Sequence, residues 1–194
     1  MQLSVTHQES NSRGELLLRT FFGSVYVVFP HLFLLFFAEI WARILGFIAW
    51  WVILFTGRYP ENMFAFQVKL MQWNLRLSAR MYNLCDGYPA FWPSGTDDST
   101  SLIIEYPESL SRGKLLLRTF FGIFYVYIPH LFLLFFIGIW ASILNFISWW
   151  VILFTGTYPI SNHEFMVKYL RWSYRLNLYM LNMTDTYPPF NGNE

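Results

Sequence analysis

The residues best suited to chemistry in this sequence are His31 and His130, each of which follows a proline inside a long apolar segment. Paired imidazoles can ligate haem iron or a transition metal if a fold brings them together. No third or fourth ligand stands at useful spacing, and His7 and His163 lie outside the apolar segments. The pattern favours a polar structural role, because proline frees the carbonyl one turn earlier and the neighbouring imidazole N–H, or a contact at the lipid interface, can absorb that polarity. Ligation and proton or substrate handling are the alternatives. Cys85 is the single cysteine, so no intrachain disulfide or thiolate metal site can be built, and neither a metal nor a cofactor is expected. No carboxylate or serine cluster offers a nucleophile with its base, and no Gly-rich loop offers a phosphate cradle. Catalysis therefore has no motif to stand on. Asp86 and Asp185 recur within Asp-X-Tyr-Pro, where an aspartate is expected to cap a turn through its own backbone, with a binding role as the alternative.

These residues sit in a duplicated frame. Ser12-Arg13-Gly14 reappears as Ser111-Arg112-Gly113, 99 positions on, and the register holds without a gap to Phe91 and Phe190. Roughly three positions in five are identical, far more than shared composition gives. The expected organisation is a first repeat at 12–91, a polar, turn-rich linker at 92–110 and a second repeat at 111–190. Within each copy a basic start leads into an apolar run and then into a mixed amphipathic stretch.

Tyrosines aside, the only ionisable residues from Leu16 to Gly57 are Arg19, His31, Glu39 and Arg43, and from Leu115 to Gly156 only Arg118 and His130. As one helix the first run would be about 63 Å long, about twice the hydrocarbon thickness of a bilayer. Length thus predicts a helical hairpin over about 16–57 and another over about 115–156, folding back near Ala38 to Arg43 and near Ile137 to Ser142. A tip there would tolerate the exchange of Glu39 and Arg43 for Gly138 and Ser142. The competing arrangement is a long kinked helix from Pro30 that keeps Glu39 and Arg43 as an i,i+4 pair. Hairpins would gather Arg13, Arg19, Arg58, Arg112, Lys114 and Arg118 on one side, which places the termini in the cytoplasm.

The stretches at about 61–84 and 160–183 place Lys69, Arg76 and Arg80, and then Lys168, Arg171 and Arg175, on one face of a helix. Opposite them lie aromatic and aliphatic residues. This predicts interfacial helices whose six cations meet lipid headgroups, either as simple anchors or as a specific lipid or partner site. Thr56-Gly57 with Tyr59-Pro60, and Thr155-Gly156 with Tyr158-Pro159, read as the stops of the apolar runs.

Composition agrees with a membrane protein: 55% of residues are hydrophobic, 22% aromatic, and mean hydropathy is +0.36. The net charge of +1 gives no field to attract nucleic acid, and none is expected as a partner. The expected fold class is all-α: two tandem repeats, each a hydrophobic helical hairpin plus an interfacial amphipathic helix.

The ordered motifs are Pro30-His31, Phe55-Thr56-Gly57-Arg58-Tyr59-Pro60, Trp73 with Arg76, and Asp86-Gly87-Tyr88-Pro89. The second copy supplies Pro129-His130, Phe154 to Pro159, Arg171-Trp172 with Arg175, and Thr184-Asp185-Thr186-Tyr187-Pro188-Pro189-Phe190. Together they resemble a widespread bacterial membrane-domain family known only as a domain of unknown function, over nearly all of both copies. The resemblance implies a bacterial inner-membrane location and no activity. Thr157 and Gln72 stand where the family carries arginine, and Cys85 and Ala90 interrupt the first terminal motif. The expected function is a non-catalytic accessory or scaffold subunit of a larger membrane assembly, whose partners are lipids and other membrane-protein subunits. A lipid-binding or membrane-shaping protein and a small transporter with a site between the repeats are the alternatives.

Overall fold

A computed structural model describes residues 1–91, 95 and 97–193. A short strand β1 (Gln2–Val5) precedes helix α1 (Arg13–Gly23), a π-helical turn (Ser24–Val28), helix α2 (Phe29–Thr56) and helix α3 (Glu61–Met81). The second copy repeats the order with β2 (Thr100–Ile103), α4 (Arg112–Gly122), a π turn (Ile123–Tyr127), α5 (Ile128–Thr155) and α6 (Ile160–Met180). The all-helical class and the two-fold repeat hold. The fold-back does not: Arg13–Thr56 and Arg112–Thr155 are each one unbroken helical run of 44 residues.

The reason is local. Ala38 to Arg43 contains no proline, glycine or other turn former, and a turn there has nothing to build it. Ala38 and Ala42 belong instead to a stripe with Gly23, Val27, His31 and Leu35, at steps of three and four, which is the buried face of a helix. Small residues on that stripe let α3 approach until Gln67 Nε2 donates to the Ala42 carbonyl at 2.7 Å. Glu39 and Arg43 therefore lie in mid-helix, where Glu39 accepts a hydrogen bond from Asn74.

The irregularity falls where proline demands it. The Pro30 ring crowds the carbonyl four residues back, and its nitrogen cannot bond to it. The π turn widens the backbone there, with the Phe29 N–H reaching the Ser24 carbonyl. The freed Tyr26 carbonyl accepts from Tyr88 Oη at 2.9 Å, and in the second copy the Tyr125 carbonyl accepts from Tyr187 Oη at 3.1 Å. The donor is thus the tyrosine of Asp-X-Tyr-Pro and not the imidazole of the neighbouring histidine, which is turned to a tryptophan. At the far ends Gly57 and Gly156, at φ +74° and +78°, close the runs in the left-handed conformation that glycine adopts without strain.

One pseudo-two-fold axis organises everything else. Arg13 donates to the Phe154 carbonyl and Arg112 to the Phe55 carbonyl. Trp149 donates to Thr20 and Trp50 to Thr119, both at 2.8 Å. Each contact becomes its partner when 99 is added or subtracted, so the two long helices run antiparallel, start against end. In the layer behind them, α3 and α6 meet where Tyr174 Oη bonds to the Met71 carbonyl. Behind those, β1 and β2 pair antiparallel with Leu3 opposite Leu102, which are equivalent residues. Gln72 and Arg171, also equivalent, reach the Leu102 and Leu3 carbonyls at 3.0 Å.

The repeat therefore begins earlier than Ser12, and the expected linker contains the second copy of the N-terminal strand. Trp92, Pro93, Ser94 and Thr96 of that linker lie outside the described residues.

Candidate functional site

The polar signature residues converge at two places in each copy, both between the long helix and the chain that returns along it. The first is the histidine. His31 Nδ1 accepts a hydrogen bond from Trp73 Nε1 at 2.8 Å, and His130 Nδ1 accepts one from Trp172 at 2.8 Å. Phe91 lies flat on the first imidazole at 4.1 Å and Phe190 on the second at 4.1 Å. Both histidines are 0% exposed.

Because the Trp N–H takes the Nδ1 lone pair, the proton of the neutral ring sits on Nε2. Neither nitrogen then offers a lone pair to a metal. The tryptophans that hold the two rings pack in separate clusters, so the duplication does not pair the imidazoles. Among the described residues no group of three His, Cys, Asp or Glu could hold a metal ion. His31 and His130, the weak candidates for holding a cofactor, are each engaged with a tryptophan of their own copy.

The second place is an arginine clasp. Arg19, buried at 7% exposure, donates to the Cys85 carbonyl and to Asp86 Oδ1, both at 3.0 Å. Asp86 Oδ2 accepts from the Ser12 N–H at 2.5 Å, and the Gly87 N–H donates to Glu15 Oε2 at 2.6 Å. Arg118, Asp185 and Ser111 repeat the arrangement, with Arg118 also donating to the Tyr179 and Thr184 carbonyls. The aspartates do not cap their own turns. They hold the first turn of the long helix, whose N–H groups have no partner inside the helix.

The cations expected at lipid headgroups are largely spent inside the protein. Arg80 makes a two-pronged pair with Asp97 at 2.6 and 2.9 Å. Burial alone would raise the Asp97 carboxyl, but hydrogen bonds from Arg80, Thr100 and Ser99 outweigh it and hold the group below its ordinary value. Arg76 donates to the Gly95 carbonyl, Arg171 to the Gly192 and Leu3 carbonyls, and Arg175 to the Asn193 carbonyl. Arg76, Arg80 and Arg171 are no more than 7% exposed. Of the six, only Lys69 and Lys168 are exposed. The helical periodicity was sound, but the polar face turns toward the protein's own segments, which bring carbonyls and a carboxylate to it.

Two further groups follow from burial. The Cys85 thiol is enclosed and pushed up to about 11 by burial, which keeps it protonated and unreactive. His163, 5% exposed, is held down to about 4 by burial first and by neighbouring His7 second. The folded state thus resists a proton that the unfolded chain accepts near its ordinary 6.5. Stability from this site is fully present above about pH 6.5 and falls as pH drops toward about 4, by up to about 3 kcal/mol. His163→Phe, the residue at the matching position 64, is expected to remove that acid-side loss. Thermal unfolding in detergent at pH 7.5 and 5 checks it; a difference between the two proteins that does not change with pH counts against it.

Between the copies, an open crevice of about 800 Å³ is bordered by Glu39, Arg43, Asn74, Asn177 and Asn182. Arg43 forms no hydrogen bond or ion pair with any described residue, and its counterpart Ser142 carries no charge. The copies differ at this crevice more than at the clasps.

These clasps recur in the same order along both copies, Arg19, His31, Trp73, Asp86 and Phe91 in the first, and a family model matches each copy. The profile described as Domain of unknown function (DUF4389) covers residues 15–93 and again residues 112–191. The chain belongs to that family. No curated protein and no solved structure matches it. In this tandem DUF4389 protein the shared motifs are consumed in holding each copy together. Their partners lie far apart in sequence, so only the Pro30 rule, which demands a donor near residue 26, could have hinted at Tyr88.

Proposed function

We propose that the chain is a non-catalytic scaffold subunit of a larger bacterial inner-membrane assembly, with its termini on the cytoplasmic side. One observation carries this reading. The motif residues are engaged internally, while the long helices turn their large apolar side chains outward: Phe33 is 57% exposed, Phe47 66%, Phe132 62% and Phe146 63%. Only 28% and 17% of their most apolar stretches are buried. Such a surface is tenable against lipid tails and the helices of neighbouring subunits, and it supplies packing faces rather than a reaction site. Purification from native membranes in mild detergent is expected to recover a partner at fixed stoichiometry. A monodisperse protein that leaves the membrane alone contradicts the proposal.

The crevice favours a second reading, lipid binding. An unpaired guanidinium beside a carboxylate and three amides, rimmed by apolar helix, suits a zwitterionic headgroup, with phosphate on Arg43 and amine on Glu39. The double change Glu39→Gly with Arg43→Ser installs the second copy's residues. It is expected to reduce phosphatidylethanolamine retained through native mass spectrometry at least about tenfold, and equal retention argues against the site.

A further inference from the structure

We infer that the protein lies along one leaflet, with both long helices in the plane of the membrane, and does not cross it. The inference rests on the membrane reading above and goes beyond it, since composition and length alone admit a crossing. Each long helix, about 66 Å at about 1.5 Å per residue, is far longer than the hydrocarbon layer is thick.

The pseudo-two-fold axis decides between the two orientations. It passes between Leu3 and Leu102 of the strand pair and between α3 and α6 near Met71 and Tyr174. It reaches the long helices near their midpoints, where Trp73 meets His31 and Asn74 meets Glu39. The three layers are therefore stacked along the axis, and the strand pair and α3 lie beside the middle of the long helices, not beyond their ends.

If the long helices crossed a bilayer, these back layers would stand at its centre. Neither edge of the two-stranded sheet pairs with a further strand, although Arg171 and Gln72 meet the Leu3 and Leu102 carbonyls there, and its outer face carries Gln2, Ser4 and Ser101 beside Ile103. Lys69 and Lys168 are exposed about one helical turn from the axis. Open backbone edges and exposed ammonium groups are not accommodated in hydrocarbon. With the axis along the membrane normal the conflict vanishes. The apolar side chains of the long helices enter the leaflet, while the strands, the lysines and the exposed Glu61 and Glu164 face water. The occupant of the apolar face is accordingly the acyl region of one leaflet.

The two orientations differ in where the ends of the helices emerge. Antiparallel crossing puts Ser10 and Thr157 on one side and Arg58 and Ser109 on the other, whereas the in-plane orientation puts all four on the same side. All four are exposed. Single cysteines at these positions, in the full chain with Cys85→Thr, are to be treated with a membrane-impermeant maleimide in sealed spheroplasts and in inverted vesicles. In-plane seating predicts that the four behave alike, all protected in one preparation and all labelled in the other. Labelling of one pair without the other overturns the inference and leaves the membrane reading intact. Recovery of the chain in the soluble fraction, its apolar faces covered by a second copy, overturns both.

Discussion

Asp86→Ala is expected to destabilise the protein by about 3 kcal/mol or more, and Asp185→Ala by a similar amount. The Arg19 guanidinium is buried, and Asp86 is the carboxylate in direct contact with it; Glu15 stands farther off at 3.9 Å. Removing one partner of a buried pair leaves the other's desolvation uncompensated, which costs about 3–5 kcal/mol. Asp86 is itself 16% exposed at its side chain, so the lower end of that range applies. The same change strips the Ser12 N–H of its acceptor at the start of the long helix. Chemical denaturation in detergent, followed by tryptophan fluorescence, reads the effect. The double variant Arg19→Met with Asp86→Ala should regain much of the loss, because no buried charge is then left unpaired. A double variant as unstable as the two single losses added together contradicts the clasp as coupled.

What could be read before the fold was known follows the range of each interaction. The duplication, the helical class and the stops at Gly57 and Gly156 are local, and each was legible. The fold-back was not, because the length argument assumed that an apolar run of this size must cross a bilayer and return. Nothing between Ala38 and Arg43 supports a turn, and the sequence said so. The 3.6-residue period correctly placed Arg76, Arg80, Arg171 and Arg175 together with the lysines. It carried no information about which side the protein occupies, since their acceptors at Gly95, Asp97, Gly192 and Leu3 belong to segments without periodicity of their own. The N-terminal strand was partly legible: Leu3 matches Leu102 and Glu9-Ser10 matches Glu108-Ser109 in the same register. Those few identities stand among mismatches, and only the pairing of Leu3 with Leu102 gives them meaning.

The histidine clasp gives the second large expectation. Trp73, fully buried, fills the space between α2 and α3 and is the donor to His31. Trp73→Ala should cost about 3–5 kcal/mol from the cavity alone, plus about 1–3 kcal/mol for a buried imidazole nitrogen left without its donor. Trp73→Phe keeps most of the volume and isolates the second contribution. Trp172→Ala should match Trp73→Ala, because Trp172 is 3% exposed and its bond to His130 has the same 2.8 Å length. The comparison also separates architecture from ligation. If the histidines served a bound cofactor, changing the tryptophans would alter an absorption spectrum or a metal content while stability moved little. If they serve the fold, the unfolding midpoint falls in both copies and purified protein shows no visible absorption before or after. The geometry favours the second result: the Nδ1 lone pair that a ligand would need already accepts from the tryptophan in each copy.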